Sequence, residues 1–156
     1  MAHLVRPPAT PSRPNDVMVF LAGSMSKPWR EELTEKLDDL ELLTILDPTV
    51  PDWVNVIGEE DIHNPGFIDQ VSWEHQMMEK ASIHVFHFDE KSLAPVSLLE
   101  FGMFQHKDAV VHLEPGYEKD GHIRFIAGRY SVPLVETIED VASFIRIKYR
   151  IRTRFF

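Results

Sequence analysis

Two glutamates stand where helical spacing calls for apolar residues. Over residues 67–82, at about 100° per residue, Phe67, Val71, Met78 and Ala81 fall on one stripe, and Glu74 sits near its middle. Two readings fit such an acid. It meets a buried hydrogen-bond partner, or its helix end projects past the sheet; alternatively it is a partly buried acid with a raised pKa, suited to protonating a leaving group. The oddity recurs at Glu100, which shares a stripe with Val96, Leu99, Met103 and Phe104. Ser97-Leu98-Leu99-Glu100 matches a capping box, with Ser97 as N-cap. A glutamate in that first turn also feels the helix dipole, which favours its ionised form and would suit a nucleophile. One protonated and one ionised carboxylate are what a retaining glycosidic cleavage needs.

The other chemistry-bearing residues give weaker signals. Ala22-Gly23-Ser24-Met25 is a tight turn in which Gly23 would let a ligand approach the backbone. It is neither GxGxxG nor a P-loop, so dinucleotide and triphosphate binding are not expected. Asp47 and Asp89 follow strands, where turn and cap roles are usual, although either could bind a ribose hydroxyl. His84 and His87 are three apart on a strand and so point to opposite faces, against shared ligation. The sequence therefore calls for no metal and no cofactor. Trp53 and Trp73 fit either the core or a surface on which a base stacks.

These residues need elements to hold them. Val17–Leu21 is a continuous apolar run of the kind buried on both faces of a parallel sheet. Pro28, Trp29, Leu33, Leu37 and Leu40 then mark a helix, and Leu42–Leu46 a second strand. Residues 48–66 read as a long loop of the kind that forms lids, and 67–82 as a helix. The remaining expectations are strands at 83–88, 109–113 and 132–135, with helices at 96–105, 123–128 and 138–149. This alternation predicts a doubly wound α/β, flavodoxin-like fold of about five parallel strands with helices on both faces, in the order 2-1-3-4-5. A ligand would sit where residues 22–25 meet the loop after Phe88 and the start of the following helix. Residues 1–15, with four prolines, read as a flexible tail, 16–150 as the domain, and 151–156 as a basic C-terminal tail.

Composition removes whole classes of function. The 156 residues carry a net charge of −9, which disfavours a binder of nucleic acid polymers. There is no cysteine, hence no disulfide, thiolate cluster or cysteine nucleophile. No apolar run reaches the length of a membrane span, and the start has no signal-like stretch, so a cytoplasmic protein without a membrane partner is expected.

Phe20-Leu21-Ala22-Gly23-Ser24, Trp73-Glu74 and Pro95-Val96-Ser97-Leu98-Leu99-Glu100-Phe101-Gly102, in that order, resemble the blocks of the nucleoside 2-deoxyribosyltransferase-like family. The resemblance covers roughly residues 17–135. It implies an enzyme that breaks the N-glycosidic bond of a 2'-deoxynucleoside or its 5'-monophosphate and passes the sugar to another nucleobase or to water. Glu100 would take the place of the glutamate that attacks the anomeric carbon. Glu74, seven residues before Ala81, would take that of the base-contacting carboxylate, with Glu instead of the more usual Asp. Gly23 and Ser24 would line the sugar, with Asp89, Ser97 and Trp73 as further substrate contacts. The resemblance also implies a homo-oligomer. Two positions depart from the family pattern. Ala94 stands where characterised transferases carry an aspartate six residues before the nucleophile, and Ala94-Pro95-Val96-Ser97 keeps only Ser97 of the serine- and glycine-rich approach of the hydrolases. Two other readings follow from the residues: a nucleoside-binding module without turnover, and a protein-interaction domain using the basic end, residues 150–156.

Overall fold

The computed structural model describes residues 1–154. Six strands, β1 (His3–Val5), β2 (Val17–Gly23), β3 (Leu43–Leu46), β4 (Ile83–Phe88), β5 (Asp108–Leu113) and β6 (Leu134–Val135), form one all-parallel sheet in the order β1-β3-β2-β4-β5-β6. The last five of these in space reproduce the predicted 2-1-3-4-5 order. Alternation along each strand divides the core into two layers. Val19, Leu21, Ile83, Val85 and Val110 pack under α1 (Trp29–Lys36) and α6 (Ile138–Thr153). Phe20, Ala22, Phe86, Phe88 and Val111 pack under α3 (Pro65–Lys80), α4 (Pro95–Phe104) and α5 (Asp120–Tyr130).

The first fifteen residues are not the flexible tail their prolines suggest. His3-Leu4-Val5 pairs in parallel with Thr44-Ile45-Leu46, and Val5 is buried. Beyond it Arg6 Nε lies 2.8 Å from Asp47 Oδ2, and the Ala9 carbonyl accepts a 2.7 Å hydrogen bond from Trp73 Nε1. Three residues suffice for an edge strand, and the overall proline content of the segment hides them. Residues 48–66 likewise hold a helical turn, α2 (Trp53–Val56), and supply the start of α3. At the other end α6 runs through Thr153, so residues 151–153 continue a helix and do not form a tail. Arg146 pairs with Asp39, while Lys148 and Arg152 pair with Asp108. Phe155 and Phe156, the end of the proposed interaction segment, lie outside the described residues. Among the described residues no helix is long and apolar enough to cross a membrane.

Candidate active site

The carboxyl ends of β2 and β4, where strand order reverses, bound a cavity of about 310 Å³. Gly23, Ser24, Trp53, Glu74, Ser97 and Glu100 are among the residues lining it. Beside it runs an apolar groove of about 290 Å³ between α3 and α4, walled by Phe67, Val71, Met78, Val96, Leu99 and Met103, which shares Trp53, Glu74 and Glu100 with the cavity.

Both glutamates reach this place from the margins of their helices. The core faces are Gln70, Trp73, Met77 and Met78 on α3, and Ser97, Phe101 and Phe104 on α4. Val96, Leu99 and Met103, taken from the sequence as a core stripe, are 50%, 64% and 42% exposed. Because α4 is apolar almost all round, spacing could not pick out the side that is buried. Helix α3 is started by Asn64, whose side chain accepts from the Gly66 N–H. Glu74 Oε1 accepts a 2.8 Å bond from Gln70 Nε2, which also reaches the Pro48 carbonyl.

The capping box at Ser97 is not formed. Helix α4 begins three residues earlier, with Ala94 as N-cap in the left-handed region at φ 47° and Pro95 as first helical residue. Proline suits that first position because it has no N–H to leave unbonded. Ser97 is thus the third helical residue, buried and lining the cavity, and Glu100 falls in the second turn. The expected ionising effect of the dipole gives way to the surroundings. Burial, with the charge of Glu74 added, pushes Glu100 up to about 8, and Arg30 opposes them. Burial also raises Glu74, against the Gln70 hydrogen bond and Arg30.

Arg30 holds the floor of the site. Its guanidinium, 4% exposed, donates to the carbonyls of Leu21 (3.1 Å), Gly23 (2.9 Å) and Ser24 (3.0 Å), and stands 3.6 Å from Asp47. Burial lowers it to about 10, chiefly against Asp47, so it remains a cation at neutral pH. Trp29 Nε1 donates to the same Ser24 carbonyl. Gly23 is required by space: a Cβ there would stand 2.5 Å from the His87 carbonyl oxygen, and its φ is +140°.

Two residues expected to touch substrate lie elsewhere. Trp73 is 7% exposed in the core and is tied to Ala9 by its indole N–H. Asp89 is fully buried: it accepts from Ser26 Oγ through both oxygens (2.9 Å each), from the Lys91 N–H (2.9 Å), and meets His87 Nε2 at 2.9 Å. Burial tends to raise Asp89, but these hydrogen bonds outweigh it and hold the carboxyl below its ordinary value. His87 Nδ1 in turn lies 2.8 Å from His112 Nδ1, and His112 Nε2 3.2 Å from the Glu136 carbonyl. Burial, reinforced by His112, pushes His87 down to about 4. His84 lies on the opposite face of the sheet, as the strand spacing predicts, bonded to the Met78 carbonyl.

Sequence reasoning missed Arg30, Ser26 and His112. A polar residue in an amphipathic helix and a histidine in a buried strand carry no local pattern; only the parallel pairing of β4 with β5 sets His87 opposite His112.

A family model described as nucleoside 2-deoxyribosyltransferase like matches residues 16–117. Comparison with curated proteins returns no match. The matched stretch covers well over half of the chain, from the residue before β2 to beyond β5, and contains every residue named above as lining the cavity. The chain belongs to the nucleoside 2-deoxyribosyltransferase-like family.

Proposed function

We propose that the protein cleaves the N-glycosidic bond of a nucleoside by double displacement and passes the sugar to a second nucleobase or to water. The carrying observation is that Glu74 and Glu100 line one cavity at the switch point of the sheet, each with proton affinity raised by burial. Such a pair titrates as a unit, and burial with the Glu74 charge keeps a proton on Glu100 up to about pH 8. Because burial and the Glu74 charge keep the resting proton on Glu100, attack first requires that proton to pass to Glu74, after which Glu100 is the carboxylate. The Glu100 oxygen forms a bond to the anomeric carbon as the carbon–nitrogen bond breaks, and the Glu74 proton goes to the departing base. In the second half, an acceptor base or water attacks the same carbon, its proton returns to Glu74, and the ester to Glu100 breaks. The apolar groove between α3 and α4, with Trp53 beside it, suits a nucleobase; the Gly23, Ser24 and Ser97 side of the cavity offers the polar groups that suit the sugar.

A binding module without turnover is favoured by one observation. Ala94 offers no side-chain hydrogen bond at the start of α4, where characterised transferases carry a sugar-contacting aspartate.

Chromatography of nucleosides and 5'-monophosphates, with and without a free acceptor base, separates these readings when combined with intact-mass analysis of acid-quenched protein. The expected result is exchange or release of base, together with a glycosyl adduct absent from Glu100→Gln. Binding with neither turnover nor adduct supports the module instead.

A further inference from the structure

The pair of buried imidazoles at the ends of β4 and β5 has one proton fewer than its surroundings call for. The far nitrogen of each ring faces an acceptor: His87 Nε2 lies 2.9 Å from the ionised Asp89, and His112 Nε2 lies 3.2 Å from the Glu136 carbonyl oxygen. Both Nε2 atoms must therefore carry a hydrogen. A neutral imidazole has only one to place, so both Nδ1 atoms are bare, and these are the atoms that meet at 2.8 Å. Two lone pairs so close call for a cation between them. Burial is the largest influence on both rings and disfavours their imidazolium forms, which makes a shared proton the weaker answer.

A third ligand is in place. One donor atom each from His87, His112 and Glu114, the residue after β5, lie within 4.8 Å of one another. Lys27 holds the Glu114 carboxylate through Oε2 and is itself shared with Glu90 at 3.1 Å, so the acid is oriented and has a second oxygen to give. We propose that His87 Nδ1, His112 Nδ1 and a Glu114 oxygen bind a zinc ion, at a site under α1 on the face of the sheet opposite the Glu74–Glu100 cavity. Two imidazoles and a carboxylate suit zinc, with water as the fourth ligand. Zinc–nitrogen bonds of about 2.0–2.1 Å set tetrahedral ligands roughly 3.3 Å apart, so the nitrogens need to part by only about half an ångström. The outer partners that orient metal-bound imidazoles are also present, Asp89 on one ring and the Glu136 carbonyl on the other. Charge balances as well: Asp89 and Glu114 offset the divalent ion, while Lys27 and Glu90 offset each other. Trp29, stacked on His87 at 4.8 Å, covers one side. The ion clasps the end of β4 to that of β5.

The test uses the full-length protein, stripped with a chelator and free of nucleoside. Calorimetric titration with zinc chloride is expected to give one ion per chain, and Tm should rise with zinc concentration. Glu114→Gln, which removes a ligand, and Asp89→Asn, which removes an outer partner, should each weaken binding at least about tenfold, whereas His63→Asn, at an exposed histidine, should leave it unchanged. Zinc-edge X-ray absorption reads the ligands in the wild type without any variant, and two imidazoles per ion are expected. Nitrogen-15 NMR of the stripped protein at neutral pH should show hydrogen on both Nε2 atoms and on neither Nδ1, with both Nδ1 signals moving when zinc is added. No zinc binding, fewer than two imidazoles, or an affinity unmoved in both Glu114→Gln and Asp89→Asn overturns the site, the last two marking an adventitious ion only. A proton held between the Nδ1 atoms that zinc does not displace also overturns it.

Discussion

Glu74 and Glu100 share one cavity, and the charge of Glu74 adds to burial in raising Glu100 to about 8. A mechanism that needs one proton on the pair therefore loses activity once that proton leaves. On the alkaline side kcat/KM should fall through about pH 8 as the second carboxyl ionises. Glu74→Gln removes the neighbouring charge, so the Glu100 carboxyl followed by carbon-13 NMR should titrate below its wild-type midpoint. An unchanged midpoint would show that the two do not interact.

The same shift sets a stability trend. The folded state keeps on Glu100 a proton that the unfolded chain releases near the ordinary value of 4.5. The associated stabilisation is complete below that pH and is lost progressively as pH rises to about 8. In Glu100→Gln this decline should be absent. At pH 8 the variant is expected to melt above the wild type by roughly 2–4 °C or more, the shift that 1 kcal/mol produces in a chain of this size. A parallel pH dependence of Tm in both proteins would sink the idea.

Gly23→Ala attacks the floor of the site through the backbone. Its Cβ would press on the His87 carbonyl, amide nitrogen and Cβ, all within 2.8 Å, in a conformation that side chains rarely adopt. Overpacking and backbone strain together should cost about 2–5 kcal/mol. Urea unfolding measures this directly, and a midpoint near that of the wild type would mean that β2 and β4 can separate freely.

Arg30→Lys keeps the charge and loses the fork. One ammonium cannot reach the Leu21, Gly23 and Ser24 carbonyls that the guanidinium now serves. With buried acceptors left open, a loss of about 2–4 kcal/mol is expected. The Ser24 carbonyl keeps its bond from Trp29, so the Gly23 side of the turn should loosen first, visible as faster amide exchange in residues 22–26.

The sheet and the two glutamates were legible because both leave local marks. Strands buried on both faces read as apolar runs, and a carboxylate among helical apolar residues stands out against them. What escaped depended on partners distant in sequence. Whether Val96, Leu99 and Met103 are core or groove is decided by how far α4 stands from α3, which no periodicity records. Asp89 read as a turn residue or a ribose contact, and its burial escaped because Ser26, which donates to it, comes from the end of another strand, 63 residues away. Ser97 read as a cap because the left-handed turn at Ala94, which starts the helix early, has no signature in an alanine. β1 was lost to an average taken over fifteen residues when three of them mattered.

That short edge strand also constrains the order in which the molecule assembles. β1 rests on β3 alone, some forty residues along the chain, and Arg6 and Ala9 find their partners at Asp47 and Trp73. None of these attachments can form before β3 and α3 are in place, so their loop-closure entropy is met late. The N-terminal segment therefore docks only after β3 and α3 are in place. Until it docks, the outer edge of β3 is an open row of peptide groups, the stage at which a folding chain is most exposed to pairing with a neighbour.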